Sequence, residues 1–316
     1  MKKLFLLLIY FFVFAYVATA QNALPNTDIF ICDVSLKNGK YSFTSLKNIT
    51  NREGYDNQPS FIDNNTIIYT SIREDKQADI YKYDLKTGKI TQVTKTPEDE
   101  YSPTLMPDGK HISTVRVEAD STQCLWKFPL ANPNDFSLIL PDVKGVGYHC
   151  WMKENELGLF ILGEPYTFQL AAVNPKVNNE YNVNIIDSFI GRSIQKVNYN
   201  TIAYTSKHNP NSWCIIALSY AFATSSDNYW GKAGFGRKYP SDVYILPEGS
   251  EDFIYGHDKA YWVNNGNKLL RFDPIKDKDW KAVFDFKGTP AENFYRIAFS
   301  PDGKKLALVS YVGKKP

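Results

Sequence analysis

One unit recurs along this chain and limits what it can fold into: a strand, a tight turn and a second strand. Pro59-Ser60-Phe61 leads through Asp63-Asn64-Asn65 to a strand over residues 66–71. Pro103-Thr104-Leu105 leads through Pro107-Asp108-Gly109-Lys110 to a strand over 111–115. Ile297-Ala298-Phe299 leads through Ser300-Pro301-Asp302-Gly303-Lys304 to a strand over 306–309. The chemistry is that of a hairpin. Pro presets φ, Asp bonds the backbone ahead of it, and Gly takes a positive φ. Asn64-Asn65 serves because Asn tolerates the left-handed region.

A second strand pair follows each first one. Ala78-Asp79-Ile80-Tyr81-Lys82-Tyr83-Asp84 alternates, Lys86-Thr87-Gly88-Lys89 turns, and residues 90–94 form an outer strand. One repeat is therefore four antiparallel strands in about 44 residues, the size of a propeller blade. Complete repeats are expected over residues 55–94 and 100–140, and further ones begin at Gly147, Gly191, Glu251 and Phe294. The last lacks its outer half. Thr27-Asp28-Ile29-Phe30-Ile31-Cys32-Asp33 matches the pattern of residues 78–84, so residues 27–50 are expected to pair with 294–311. The expected fold is all-β, a six-bladed β-propeller closed by its N-terminal strands. Closure leaves no blade unpaired and ties both termini into one sheet.

The first twenty residues read differently. Lys2 and Lys3 precede an apolar run over residues 4–17, and Ala18-Thr19-Ala20 is a small-x-small cleavage site. The run is too short for a comfortable membrane span, so residues 1–20 are read as a secretory signal peptide and residues 21–316 as one propeller domain. The protein is expected to be periplasmic or secreted, monomeric, and without a membrane span once cleaved. Of 36 basic residues against 34 acidic ones, Lys2 and Lys3 are the whole excess, so the mature chain is balanced. That disfavours nucleic acid as a partner. Aromatic residues make 15% of the chain, which suits strands. Trp126, Trp151, Trp213 and Trp262 fall at strand positions and are expected in the core. Cys32, Cys124, Cys150 and Cys214 are widely spaced in apolar runs and read as buried free thiols.

The Pro-Ser-Phe, Pro-Asp-Gly-Lys and Asp-Ile-Tyr elements, in this order, resemble the WD-repeat-like blades of TolB-type bacterial propellers. The same blades form the propeller of prolyl-oligopeptidase-like enzymes. The resemblance covers the mature chain without the N-terminal α/β domain of TolB, since the repeat begins at residue 27. It implies an exported propeller that serves as a platform for protein interaction or as part of a larger assembly.

Enzyme chemistry is not written locally. There is no Gly-x-Ser-x-Gly, no Cys-x-x-Cys and no His-x-x-x-His. Gly231-Lys232-Ala233-Gly234-Phe235-Gly236 lacks the Gly-Lys-Ser/Thr of a phosphate loop and falls in an aromatic insertion over residues 220–240. Blade geometry supplies the candidate site instead. The innermost strands begin on one face, together with the loops between second and third strands. That mouth collects Asp56, Asn57, Glu100, Tyr101, Ser102, Tyr148, His149, Arg192, Glu251, Asp252, Tyr295 and Arg296, with Arg73, Arg116, Glu118, Glu164 and Lys207 from the loops. Convergent polar groups at a concave mouth suit a ligand. Arg192 and Arg296 would meet an anion, Glu100, Glu251 and Asp252 a cation or hydroxyls, and Tyr101, Tyr148 and Tyr295 a flat apolar face. The first expectation is a non-catalytic module that binds a protein or small molecule there without a cofactor. A second is a hydrolase or lactonase using His149 as base and a divalent cation in the channel. A third is a structural subunit of an envelope complex, working through the 220–240 insertion.

Overall fold

A computed structural model describes residues 24–173, 181–219 and 239–313. Residues 1–20, read above as a signal peptide, lie outside them, as do residues 220–238, which hold Tyr220, Phe222, Tyr229, Trp230, Phe235 and the Gly-rich stretch. Among the described residues the regular structure is entirely β, in four sheets of four strands and one of eight. The eight-stranded sheet is two four-stranded antiparallel runs joined by a single parallel pair, Thr27 opposite Tyr55. The sheets do not merge into one continuous hydrogen-bonded ring. No helix of the described residues is long and apolar enough to cross a membrane.

The turns form as their residues dictate. The Asp108 carboxylate accepts from the backbone N–H of Lys110 at 2.8 Å, and Gly109 takes φ +65°. Asp302 and Gly303 repeat this, at 3.1 Å to the N–H of Lys304 and φ +67°. A side chain at Gly303 would run into the His257 ring, so this turn needs glycine twice over.

The N-terminal strand Thr27–Lys37 pairs antiparallel with the last strand, Lys305–Tyr311, from Thr27 opposite Tyr311 to Asp33 opposite Lys305. Its other edge pairs with Lys40–Asn48. The innermost strands pack in chain order: Tyr55–Asp63 on Asp99–Leu105, then Val146–Lys153, Ile190–Asn198, Phe253–Tyr255 and Phe294–Phe299. The last of these packs back on Tyr55–Asp63. The hydrophobic clusters fill the spaces between successive sheets. One joins Phe30 and Phe43 to Trp262, Phe286, Phe294 and Leu308.

Two core assignments need correction. Trp151 and Trp262 are buried as expected, but Trp126 and Trp213 are half-buried and carry cations: Arg116 stacks on Trp126 at 3.6 Å and Lys207 lies over Trp213 at 4.1 Å. Both still pack against the core clusters with part of the ring, and each offers a face to a neighbouring charge. All four cysteines are free thiols, but only Cys32 and Cys124 are buried; Cys150 and Cys214 are half-buried.

Candidate functional site

The innermost strands enclose a cavity of about 550 Å³. Gln58, Ser102, Tyr148, Arg192, Asp252 and Arg296 line it and are half-buried, while Pro59, Pro103, His149, Ser193, Phe253 and Ile297, which follow them in the lining, are buried. The next layer is Ser60, Thr104, Cys150, Ile194, Ile254 and Ala298.

The first layer is a polar network. Arg192 grips Asp252 with two bonds, Nε to Oδ1 at 2.8 Å and Nη2 to Oδ2 at 2.9 Å. Arg296 Nε stands 3.6 Å from the same carboxylate, and its Nη2 donates to Tyr148 Oη at 3.3 Å. Asn57 accepts from Arg296 and donates to the Tyr295 hydroxyl. Burial opposes ionisation of Asp252, but the two guanidiniums overcome it and hold the carboxyl below the usual range.

The structure brings Ser102, Tyr148, His149, Arg192, Asp252 and Arg296 together at the cavity. It separates the other expected residues. Glu100 is wholly buried against Thr96, between sheets. Arg116 pairs with Glu118 at 2.8 Å and Glu98 at 3.5 Å, off the channel. Glu251 is held by Lys207 at 2.8 Å, Asp56 by Arg52 at 3.0 Å, and Arg73 lies over Tyr81. Glu164 is exposed in the loop before Pro165. Tyr295 bonds Asn57 and stacks on Tyr311 at 4.4 Å. Tyr101 joins an apolar cluster, and burial pushes its hydroxyl up to about 12.

The lining runs from this layer to the first hairpin turns, where it includes His257 and Pro301. At the strand starts the polar side chains satisfy one another, as the pairs above show. Gln58 and Ser60, just beyond Asn57 on the same strand, line the cavity and are not among the expected residues; the polar run Asn57-Gln58 is the signal for the first of them.

His149 has a structural place. Its Nε2 meets Ser113 Oγ at 2.6 Å, and Trp151 Nε1 donates to the same hydroxyl at 2.8 Å. Burial pushes the imidazole down to about 3, so it is neutral at ordinary pH and not poised as a base. Burial likewise pushes Cys150 up to about 11, leaving a thiol in the channel wall. Among the described residues no three His, Cys, Asp or Glu side chains converge as metal ligands.

No protein-family model matches the chain, and no curated protein matches it. Solved structures do resemble it. A putative TolB from Agrobacterium tumefaciens superposes with TM-score 0.60 at 12% identity, covering 92% of this chain and 99% of that one. A gluconolactonase from Xanthomonas campestris gives 0.57 at 9% identity, covering 94% and 99%. TolB from Acinetobacter baumannii gives 0.48 at 16% identity over 70% of this chain and 52% of that one, so the chain spans about half its length. At these identities the likeness is one of fold: the chain is a β-propeller.

Proposed function

We propose that the chain is an exported six-bladed β-propeller, closed by its N-terminal strands, that works as a binding module with its ligand inside the channel. The blade count follows from dividing the eight-stranded sheet at its one parallel pair, which leaves six four-stranded units. Export rests on the Lys2-Lys3, apolar-run and Ala18-Thr19-Ala20 sequence. Binding rests on one observation. The layer of Gln58, Ser102, Tyr148, Arg192, Asp252 and Arg296 faces a cavity of about 550 Å³, within the range of small-molecule sites.

Native mass spectrometry of the protein purified from its own source tests this. The expected result is a mature chain beginning at Gln21 that carries a stoichiometric small-molecule adduct. The adduct should be lost in Ala298→Phe, which places a ring in the second channel layer. A bare chain, or an adduct that Ala298→Phe retains, contradicts the reading.

A further inference from the structure

We propose that the Arg192–Asp252–Arg296 layer anchors the carboxylate of a small hydroxylated monoanion in the channel. The inference rests on the channel reading above and names the ligand class. Its first support is a charge count. Two guanidiniums share one carboxylate, and the nearest other pair, Lys207 with Glu251, is self-neutralising. One positive charge is left over in this layer.

Its second support is the state of Arg296. The side chain is only 15% exposed, yet its nearest polar partners among the described residues stand at 3.3, 3.5 and 3.6 Å. A buried charge is ordinarily paired at closer range, near 2.7–2.9 Å for a charge-assisted bond. Arg192 already has such bonds to Asp252. Arg296 does not, and it borders the cavity. A carboxylate oxygen beside it supplies the missing acceptor and the missing charge.

The size of the surplus selects the anion. One positive charge matches a carboxylate, whereas a phosphate brings between one and a half and two negative charges. The walls select the body. Gln58, Ser60 and Thr104 give one side amide and hydroxyl groups; Ile194 and Ile254 face it with apolar surface. A compact ring with hydroxyls along one edge fits both.

Calorimetric titration of the mature chain with one ring in four forms tests this: quinate, myo-inositol, inositol 1-phosphate and cyclohexanecarboxylate. Quinate should bind at least tenfold more tightly than each of the others. Arg296→Gln should remove that advantage over myo-inositol. If that variant does not fold, Asp252→Asn replaces it; a second surplus charge should turn the preference towards inositol 1-phosphate. Equal binding of quinate and myo-inositol, tighter binding of the phosphate by the unmodified chain, or quinate binding unchanged in Arg296→Gln overturns the proposal. If myo-inositol binds as well as quinate and Ala298→Phe abolishes it, the anion assignment fails while the channel reading stands. If no ring binds, the ligand class is wrong and the adduct measurement decides the channel reading separately.

Discussion

Raising the pH from about 5 to about 9 is expected to destabilise this protein, by about 2–4 kcal/mol. The cause is a pair of carboxyl groups between the first two complete sheets. Glu100 is 0% exposed and Asp79 nearly so. Burial pushes Glu100 up to about 8, with the charge of Asp79 adding to it and bonds from Thr96 and Thr94 opposing. Burial and Asp75 push Asp79 up to about 6, against bonds from Gln92, Glu100 and Thr94. Both groups ionise more easily in the unfolded chain, near 4. Between about pH 4 and pH 8 the folded state holds more protons, so stability falls as the pH rises through that window and levels off above it. Chemical denaturation at pH 5, 7 and 9 measures the slope. Glu100→Gln keeps a neutral donor at this position and should flatten most of it. An unmodified protein equally stable at pH 5 and pH 9 would show that the pair does not hold its proton.

Arg52→Ala should cost about 3 kcal/mol, for a reason visible in the repeat itself. The junction preceding the Asp79–Glu100 pair is its structural twin. Asn48 and Thr50 bond Asp28 as Gln92 and Thr94 bond Asp79. The N–H of Ile29 reaches Thr50 as that of Ile80 reaches Thr94. In this alignment Asp56 corresponds to Glu100 and Arg52 to Thr96. One junction carries a guanidinium on its buried carboxylate, Asp56; the next carries a hydroxyl on Glu100. Arg52 contacts Asp56 at 3.0 Å and donates to Ser71 Oγ at 2.9 Å and to the Ile72 carbonyl at 2.7 Å. Removing it leaves Asp56, 0% exposed, without its cation. Denaturant titration should show the loss at pH 7 and a smaller loss at pH 4, where Asp56 can take a proton, because burial already pushes its carboxyl upwards. A loss under 1 kcal/mol at pH 7 would mean that solvent reaches this junction and screens Asp56 without Arg52.

The architecture was legible because turn chemistry is local. Pro-Asp-Gly and Asn-Asn must turn, alternating strands must lie between the turns, and the spacing fixes the unit. The pairing of residues 27–33 with 305–311 was legible for the same reason, since the first strand repeats the pattern of residues 78–84. The site was legible in part. Arg192, Asp252 and Arg296 were found because they are charged at the starts of inner strands. Glu100 and Glu251 are grouped with them on the same ground, and Arg116 and Glu118 as loop residues beside them, but each is used up by a neighbour: Thr96, Lys207, Glu98 or Trp126. Which neighbour a polar side chain pairs with is set by how the strands and loops pack, and strand alternation does not encode it. The small residues of the second layer, Ser60 and Ala298 among them, become meaningful only once a channel exists for them to line.

The channel exists only if the N-terminal strand closes the ring, and hydrogen exchange on the mature chain tests this most directly. In Thr27–Lys37 the backbone groups of residues 27–33 pair with Lys305–Tyr311 on one edge, and those from Phe30 onward pair with Lys40–Asn48 on the other. Amides of residues 29–33 and 306–310 should exchange together, at the slow rate of global unfolding. Fast exchange in residues 29–33 while the strand Thr66–Ile72 stays protected would show that the first strand is not locked in place, and would contradict the closed ring.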